Sequence, residues 1–181
     1  MKSNLRYLVL AGVFAALTAV CGFLKIPLGV MSITLQTMMA ALAGIVLGSK
    51  WGAVSQVVYL ALGLIGLPIF TMGGGPGYVL QPSFGFLLGF PLTAAVSGLL
   101  SEDTLSPVRL AFAAAVGILA GYAIGTPYMG LILSLHLGRE MSVWEVVKAG
   151  CLIYLPGELV KVIATAVVAP PLKRAVQKAG T

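Results

Sequence analysis

The segment Pro156-Gly157-Glu158-Leu159-Val160-Lys161 places two charged side chains in the middle of an apolar run, 143–172, that is long enough to cross a membrane. An ionised side chain at the centre of a bilayer costs about 2.5–3.5 kcal/mol, so such residues commonly mark functional sites. Residues three apart share a helix face, so Glu158 and Lys161 can neutralise each other or hold a polar ligand together. Because Pro156 lacks an N–H and Gly157 loosens the same turn, we expect an irregular helix beside them. The alternative is a structural ion pair between helices.

The composition of the chain predicts an integral membrane protein of the all-α class. Of its 181 residues, 59% are hydrophobic and 9% are charged, whereas soluble domains carry about 25% charged residues. At about 20 residues per membrane helix, the spans use nearly the whole chain. We therefore predict a single transmembrane domain of six helices over 1–181, with no room for a soluble catalytic or nucleotide-binding domain.

The apolar segments predict where the six spans lie. Their expected positions are 7–24, 33–48, 52–67, 83–100, 108–137 and a last span that begins at 143 and ends at the Pro170-Pro171 pair. Proline disfavours a helix interior, so Pro127 is expected to kink the fifth span. Cys21 follows Val20 rather than the small residue typical of a lipoprotein cleavage site, so we expect the first span to be retained.

The distribution of basic residues predicts the orientation of the chain. Cytoplasmic loops carry an excess of Lys and Arg, which places both termini in the cytoplasm of a multi-pass protein of the cell membrane. The residues then inside are Lys2, Arg6, Lys50, Arg109, Lys173, Arg174 and Lys178, and those outside are Lys25, Arg139 and Lys148. We interpret the net charge of +6 as this topology signal and not as a nucleic-acid-binding surface.

The glycine- and proline-rich connection at 68–82 is expected on the external face. Its Gly73–Gly77 cluster lacks the lysine and the strand–helix context of a phosphate loop. Either it forms a lid that packs on a ligand or it is a flexible connector. Its neighbours combine apolar faces with hydrogen-bonding groups, as ligand sites do. The candidate ligand-binding residues here are Tyr78, Gln81, Ser83 and Phe84, beside Phe70 and Phe86.

Polar side chains within the spans supply the remaining candidates. Gln36 and Tyr59 belong to spans that border the external loops, and Tyr154 precedes the charged segment. Such residues more often form hydrogen bonds between helices than ligand contacts. The single histidine, His136, belongs to no catalytic or metal-binding motif. We therefore expect no catalytic residue, no metal and no cofactor in this chain.

Small residues recur every four positions and predict close helix packing, because membrane helices associate through van der Waals fit. Glycine rows at Gly44, Gly48 and Gly52 and at 117, 121 and 125 are expected to pack within the chain. The row of Ala11, Ala15 and Ala19 in the first span has two interpretations. It either packs within the chain or forms a docking face for another membrane subunit.

Four segments of the chain, in this order and spacing, carry a family resemblance. They are ITLQT at 33–37, YLALGLIGLPIF at 59–70, QPSFGFLLGF at 81–90 and PGELVK at 156–161. The chain resembles the BioY family, the biotin-specific S-components of energy-coupling factor (ECF) transporters, over nearly its full length. It departs from the family pattern at Glu158, where Asp is more usual, and at 82–86, where Pro-Thr-Gly-Gly-Tyr is usual.

The resemblance implies an S-component bundle of six helices that binds biotin near the external side. It also implies partnership with a transmembrane coupling subunit and two cytoplasmic ATPases, which use the ATP, and it matches Ala11 and Ala15 to the motif that meets the coupling subunit. An S-component for a different water-soluble vitamin remains the closest alternative. An intramembrane enzyme, which would have to use Glu158, Lys161 or His136, and a structural subunit are the alternatives from other classes.

Overall fold

A computed structural model describes the chain over residues 2–178, with side chains described from residue 4 onward. Met1 and residues 179–181 of the predicted domain lie outside the described residues. The helices are α1 (Lys2–Phe23), α2 (Gln36–Leu47), α3 (Ser49–Leu64), α4 (Phe84–Leu100), α5 (Pro107–Leu135), α6 (Val143–Val147) and α7 (Leu155–Lys178). A π-helical turn, Lys148–Leu152, joins α6 to α7 in one helical segment, Val143–Lys178, so the described bundle counts six helices. The predicted all-α bundle is confirmed.

A small β-hairpin is the one departure from helical structure that sequence analysis did not predict. Strands β1 (Lys25–Leu28) and β2 (Met31–Thr34) pair antiparallel between α1 and α2. The predicted second span was therefore wrong at its start, because Ile33 and Thr34 belong to β2. Only Leu35 separates β2 from α2, and β-branched Ile33 and Thr34 suit a strand. The chain therefore changes from strand to helix within one apolar run, and hydropathy does not mark the boundary.

The spans differ in length. By length and composition, the described helices that could cross a membrane are Asn4–Phe23, Pro107–Leu135 and Val143–Lys178. Helix α2 has 12 residues, about 18 Å at the helical rise, which is shorter than a hydrocarbon core of about 30 Å. The hairpin that precedes α2 thus takes the place of its outer turns.

Glycine contacts fix the packing of the helices, as predicted. A Cβ on Gly44 would lie 1.9 Å from the carbonyl oxygen of Ala94 in α4, and a Cβ on Gly52 would lie 2.5 Å from the Cα of Gly44. Gly48 makes the reversal between α2 and α3 with a φ of +84°, which an L-residue rarely adopts. On α5, a Cβ on Gly121 would meet the hydroxyl of Thr93 at 2.3 Å.

The last helix continues through Pro170-Pro171 to Lys178, so its predicted end at the proline pair was wrong. Tertiary contacts hold the turns beyond the prolines. Buried Lys173 donates a hydrogen bond to the carbonyl of Ser101, 2.5 Å away, and Arg6 of α1 donates to the carbonyl of Val176. Helix α5 likewise runs unbroken through Pro127.

The alanine row of α1 lies inside the bundle. Ala11, Ala15 and Ala19 are only 1%, 3% and 9% exposed, and Ala15 and Ala19 share a core cluster with Ala40 of α2 and Tyr59 of α3. The structure therefore supports the intrachain interpretation and corrects the docking one, since a partner cannot reach these three side chains. The outward face of α1 carries Leu8, Val9, Gly12, Val13, Ala16, Leu17 and Val20.

Candidate ligand-binding site

The centre of the site is a buried ion pair on α7. Lys161 Nζ lies 2.6 Å from Glu158 Oε1, and the two residues are 5% and 6% exposed. The expected irregularity is present just before them, as the π-helical turn and the start of α7 at Leu155. Pro156 thereby falls in the first turn of α7, where its missing N–H breaks no hydrogen bond. The same position gives the Glu158 carboxylate the favourable end of the helix dipole.

Two hydroxyl groups from other helices complete the surroundings of the pair. Lys161 Nζ donates to Thr37 Oγ1 of α2 at 2.8 Å, and Thr37 Oγ1 donates to Glu158 Oε2 at 3.0 Å. The hydroxyl of Tyr122 on α5 donates to Glu158 Oε1 at 3.0 Å. Buried charges are tolerated when they are paired and hydrogen-bonded. The pair is therefore held by α2, α5 and α7 together.

A cavity of about 60 Å³ lies against this pair. Its lining combines apolar and aromatic side chains with polar ones, as in sites for small molecules. The lining residues are Met31, Ser32, Ile33, Thr34, Gln36, Thr37, Thr71, Ser83, Phe86, Leu87, Phe90, Tyr122, Tyr154, Glu158 and Lys161. Sites for small molecules usually measure about 300–1,000 Å³. A ligand therefore needs the walls of this cavity to move apart.

The β-hairpin is the wall that covers the cavity. Met31, Ser32, Ile33 and Thr34 of β2 line it, while each residue of β1 is exposed on the outer side. Lys25 Nζ donates to the carbonyl of Thr71 at 2.6 Å and ties the start of the hairpin to the connection between α3 and α4. Thr71 and Ser83 of that connection also line the cavity, so the hairpin and the connection together form the part of its lining that lies outside the long helices.

The similarity of this protein to a known family extends over nearly the whole chain. The model of the BioY family matches residues 1–178. This chain belongs to the BioY family. A relative in Lysinibacillus sphaericus, described as a probable biotin transporter, is 41% identical over 95% of this chain and 89% of its own length. A biotin transporter of Rhodobacter capsulatus is also 41% identical, over 91% of each chain.

A solved structure has the same fold as this BioY chain. It is the crystal structure of the S-component for biotin from an ECF-type ABC transporter. The TM-score is 0.77, the sequence identity is 27%, and the match covers 96% of this chain and 93% of that one. The predicted family and the predicted bundle of S-component type are thereby confirmed.

The structure brings five of the nine predicted ligand-binding residues of this BioY chain to the cavity. They are Gln36, Ser83, Tyr154, Glu158 and Lys161. The side-chain amide of Gln36 forms hydrogen bonds within the chain, because its Nε2 donates to the Tyr59 hydroxyl at 2.6 Å and to the carbonyl of Thr18 at 3.2 Å. A Cβ on Gly22 would lie 2.7 Å from that Nε2, so this glycine makes room for the Gln36 side chain.

The other four predicted residues do not line the cavity. Tyr59 is fully buried and donates to the carbonyl of Ile69. Tyr78 and Phe84 pack with Phe70, at ring-centroid distances of 4.7 and 6.4 Å from it. Gln81 lines a separate outer cavity of about 220 Å³ between the hairpin and the 68–82 connection. Aromatic side chains beside a loop can serve a core as well as a ligand, and here they form the core.

The glycine cluster packs on the end of α3 and does not reach the cavity against the ion pair. A Cβ on Gly74 would lie 2.0 Å from the carbonyl oxygen of Leu67, and Gly75 N donates to the carbonyl of Gly63 at 2.7 Å. The expected close packing of backbone is therefore present, but against the chain itself. Only the flanking Thr71 and Ser83 reach that cavity.

Sequence analysis missed Thr37 and Tyr122. Both contact Glu158, across 121 and 36 residues of chain. A signal existed for each of them. Thr37 ends the ITLQT segment, and Tyr122 is the single aromatic residue within the glycine row of α5. The ring of Tyr122 also contacts Phe86, with centroids 5.1 Å apart.

Proposed function

We propose that this chain is the S-component of an ECF transporter that binds biotin at the external side of the cell membrane. It would pass biotin across the membrane together with a transmembrane coupling subunit and two ATPases, as a transport protein and not as an enzyme. The relatives described as biotin transporters and the solved S-component for biotin support this proposal. The observation that carries it is the buried Glu158–Lys161 pair that faces a cavity.

The hydrogen-bond inventory of the pair indicates which part of biotin it would hold. An ammonium group has three N–H donors, and Lys161 uses two of them, on Glu158 and Thr37. Each carboxylate oxygen has about two acceptor positions, and Glu158 Oε2 uses one, for Thr37. One donor and one acceptor thus remain side by side.

The ureido ring of biotin offers the complementary edge. It presents an N–H beside a C=O, so that Glu158 would accept the first and Lys161 would donate to the second. The carboxylate of biotin offers acceptors only, and it would bring a second negative charge close to Glu158. We therefore place the ureido ring at the pair and the carboxylate of biotin away from it.

The apolar walls would cover the rest of the bicyclic ring. Phe86, Leu87 and Phe90 of α4 supply apolar surface to the lining of the cavity. Burial of apolar surface contributes about 25 cal/mol per Å², and a water-excluded site also strengthens the hydrogen bonds of the pair. We propose that this chain binds biotin without a cofactor and that the two partner ATPases use the ATP.

We propose the predicted orientation for the chain, with both termini in the cytoplasm. Arg6 of α1 and the carbonyl of Val176 in α7 are bonded, so the two ends of the described chain lie on the same face. This supports an even number of crossings. We place that face in the cytoplasm and the hairpin outside, in accordance with the excess of Lys and Arg near the chain ends.

Calorimetric titration of the detergent-purified protein tests the proposal. We expect Glu158→Gln and Lys161→Met each to weaken biotin binding at least about 30-fold, since removal of one partner of a buried charge pair costs about 2 kcal/mol or more. Thr165→Val is the matched control, because its hydroxyl donates only to the carbonyl of Lys161 within α7. Binding by both charge variants within twofold of wild type would contradict the proposal.

Analogues of biotin test the orientation and the alternative vitamin. Biotin methyl ester keeps the ureido ring and should compete nearly as well as biotin. 2-Iminobiotin replaces the ureido oxygen with nitrogen and should compete poorly, because it removes the acceptor for Lys161. Binding of thiamine or riboflavin by a protein that binds no biotin would favour an S-component for another vitamin.

A further inference from the structure

The hydroxyl of Tyr154 sits at the tip of the β-hairpin. It accepts a hydrogen bond from the backbone N–H of Met31 at 3.0 Å and donates one to the carbonyl of Leu28 at 2.6 Å. Tyr154 is only 3% exposed. Leu28 and Met31 are the paired residues on either side of the turn, whose Gly29 has a φ of +63°. One buried phenol therefore bridges both strands where the hairpin reverses.

Tyr154 lies one helical turn before Glu158 of the ion pair. Only Ile153 separates it from the π-helical segment, and the N–H of Glu158 donates to its carbonyl oxygen at 3.0 Å. Both Tyr154 and Glu158 line the cavity. π-Helical turns are frequent at functional sites because they change the register of a helix locally. The segment that carries the ion pair thus also holds the tip of the hairpin.

The side chains of the hairpin form few other hydrogen bonds near its tip, although Met31 and Ile33 pack on the apolar core. Lys25 bonds to the carbonyl of Thr71 at the opposite end, with an exposed ammonium group. Thr34 bonds to Gln36, where β2 joins α2. Among residues 4–178, the side-chain hydrogen bonds recorded for the turn region come from Tyr154 alone. A hydrogen bond of this kind is the attachment that must break before the tip can lift.

We propose that Tyr154 is the positioning residue that latches the hairpin over the cavity, and that the ligand enters and leaves when this latch opens. Its hydroxyl serves the backbone of the hairpin and not the ligand, although the ring lines the cavity. The identity of this ligand as biotin rests on the proposed function. The latch rests only on the contacts of Tyr154, so it can be tested on the protein without ligand.

Tyr154→Phe tests the latch because it removes the hydroxyl and keeps the ring. Hydrogen exchange of the ligand-free protein should become at least about fivefold faster over residues 28–34 and stay unchanged over α4 and α5. The biotin dissociation rate should rise at least about fivefold, with no slower association. Tyr128→Phe is the matched control, since Tyr128 donates to the carbonyl of Val79 away from the cavity. It should change neither quantity.

The two measurements separate this inference from the proposed function. Unchanged exchange over 28–34 in Tyr154→Phe would overturn the latch, whatever the ligand does. Faster exchange with an unaltered biotin dissociation rate would overturn it as a gate. Faster exchange spread over all helices would show a general packing role and would also overturn it. If the wild-type protein bound no biotin, the proposed function would fail, and exchange over 28–34 would still decide the latch.

Discussion

At the scale of single residues, the sequence indicated the two charged residues of the site but not the residues that form hydrogen bonds with them. Glu158 and Lys161 stand out because ionised groups are costly inside an apolar run. Thr37 and Tyr122 do not stand out, because threonine and tyrosine occur widely in membrane helices as packing and hydrogen-bonding residues. Tyr59, Tyr78 and Phe84 were predicted to bind the ligand, but they do not line the cavity. Their aromatic rings form the core beneath the loops. The sequence therefore indicated the ion pair at the centre of the candidate site but not the residues that surround it.

Thr37 gives a prediction at this scale. Its hydroxyl accepts from Lys161 and donates to Glu158, so Thr37→Val would leave each charged group with one partner fewer at nearly constant volume. An unsatisfied buried polar group costs about 1–3 kcal/mol, more when it is charged. We expect biotin affinity to fall at least about fivefold by titration, and Thr37→Ser to restore most of it. Equal binding by the valine and serine variants would show that the bridge is not used.

At the scale of elements, the helices were predicted better than their ends. Apolar length located all six helices of the bundle, yet it could not show that Ile33 and Thr34 pair in a strand or that α7 passes Pro170-Pro171. Both errors have one cause, namely long-range contacts. The hairpin is held by Tyr154 from the other end of the chain, and the last turns of α7 are held by Arg6 and Lys173. Local propensity contains no record of such contacts.

The glycine contacts give a prediction at the element scale. Gly44→Ala would place a Cβ 1.9 Å from the backbone oxygen of Ala94, which cannot move without shifting α4. Overpacking of this kind costs about 1–3 kcal/mol or more. We expect a clear fall in the midpoint of thermal unfolding in detergent and in folded yield.

Gly12→Ala is the control for this change. Gly12 also lies in a helix, but beyond its chain neighbours and the adjoining backbone of α1 no atom lies within 4 Å of the position that a Cβ would take. Alanine is favoured over glycine in helices by about 0.5–1 kcal/mol, so the midpoint should stay or rise slightly. A midpoint for Gly44→Ala equal to that of Gly12→Ala would mean that α2 and α4 are not in close contact.

At the scale of the whole molecule, the bundle separates a ligand side from a surface available to partners. The cavity is closed by the hairpin at one end, and the chain ends meet through Arg6 and Val176 at the other. Between them, α1 turns an apolar face outward, with Val9, Val13 and Val20 each about half exposed or more. A coupling subunit, as proposed, must use exposed residues, and the alanine row that resembles the family motif is not exposed.

The last prediction compares two adjacent alanines of α1. Ala15 is buried against α2 and α3, whereas Ala16 is exposed on the outward face, one turn from Gly12. Ala15→Trp should therefore overpack the core and abolish both folding and biotin binding. Ala16→Trp should fold and bind biotin as the wild type does. Because close helix contact tolerates no added volume, it should also lose co-purification with the coupling subunit and ATPases.

Size-exclusion profiles, biotin titration and co-purification of the two variants decide between the faces. Ala15→Trp that folded, bound biotin and lost only its partners would restore the alanine row as the docking face and contradict the burial of Ala15. Ala16→Trp that kept its partners would exclude the outward face of α1. The two substitutions add the same volume one residue apart on the same helix, so any difference between them reports which side of α1 faces the bundle and which faces the partner.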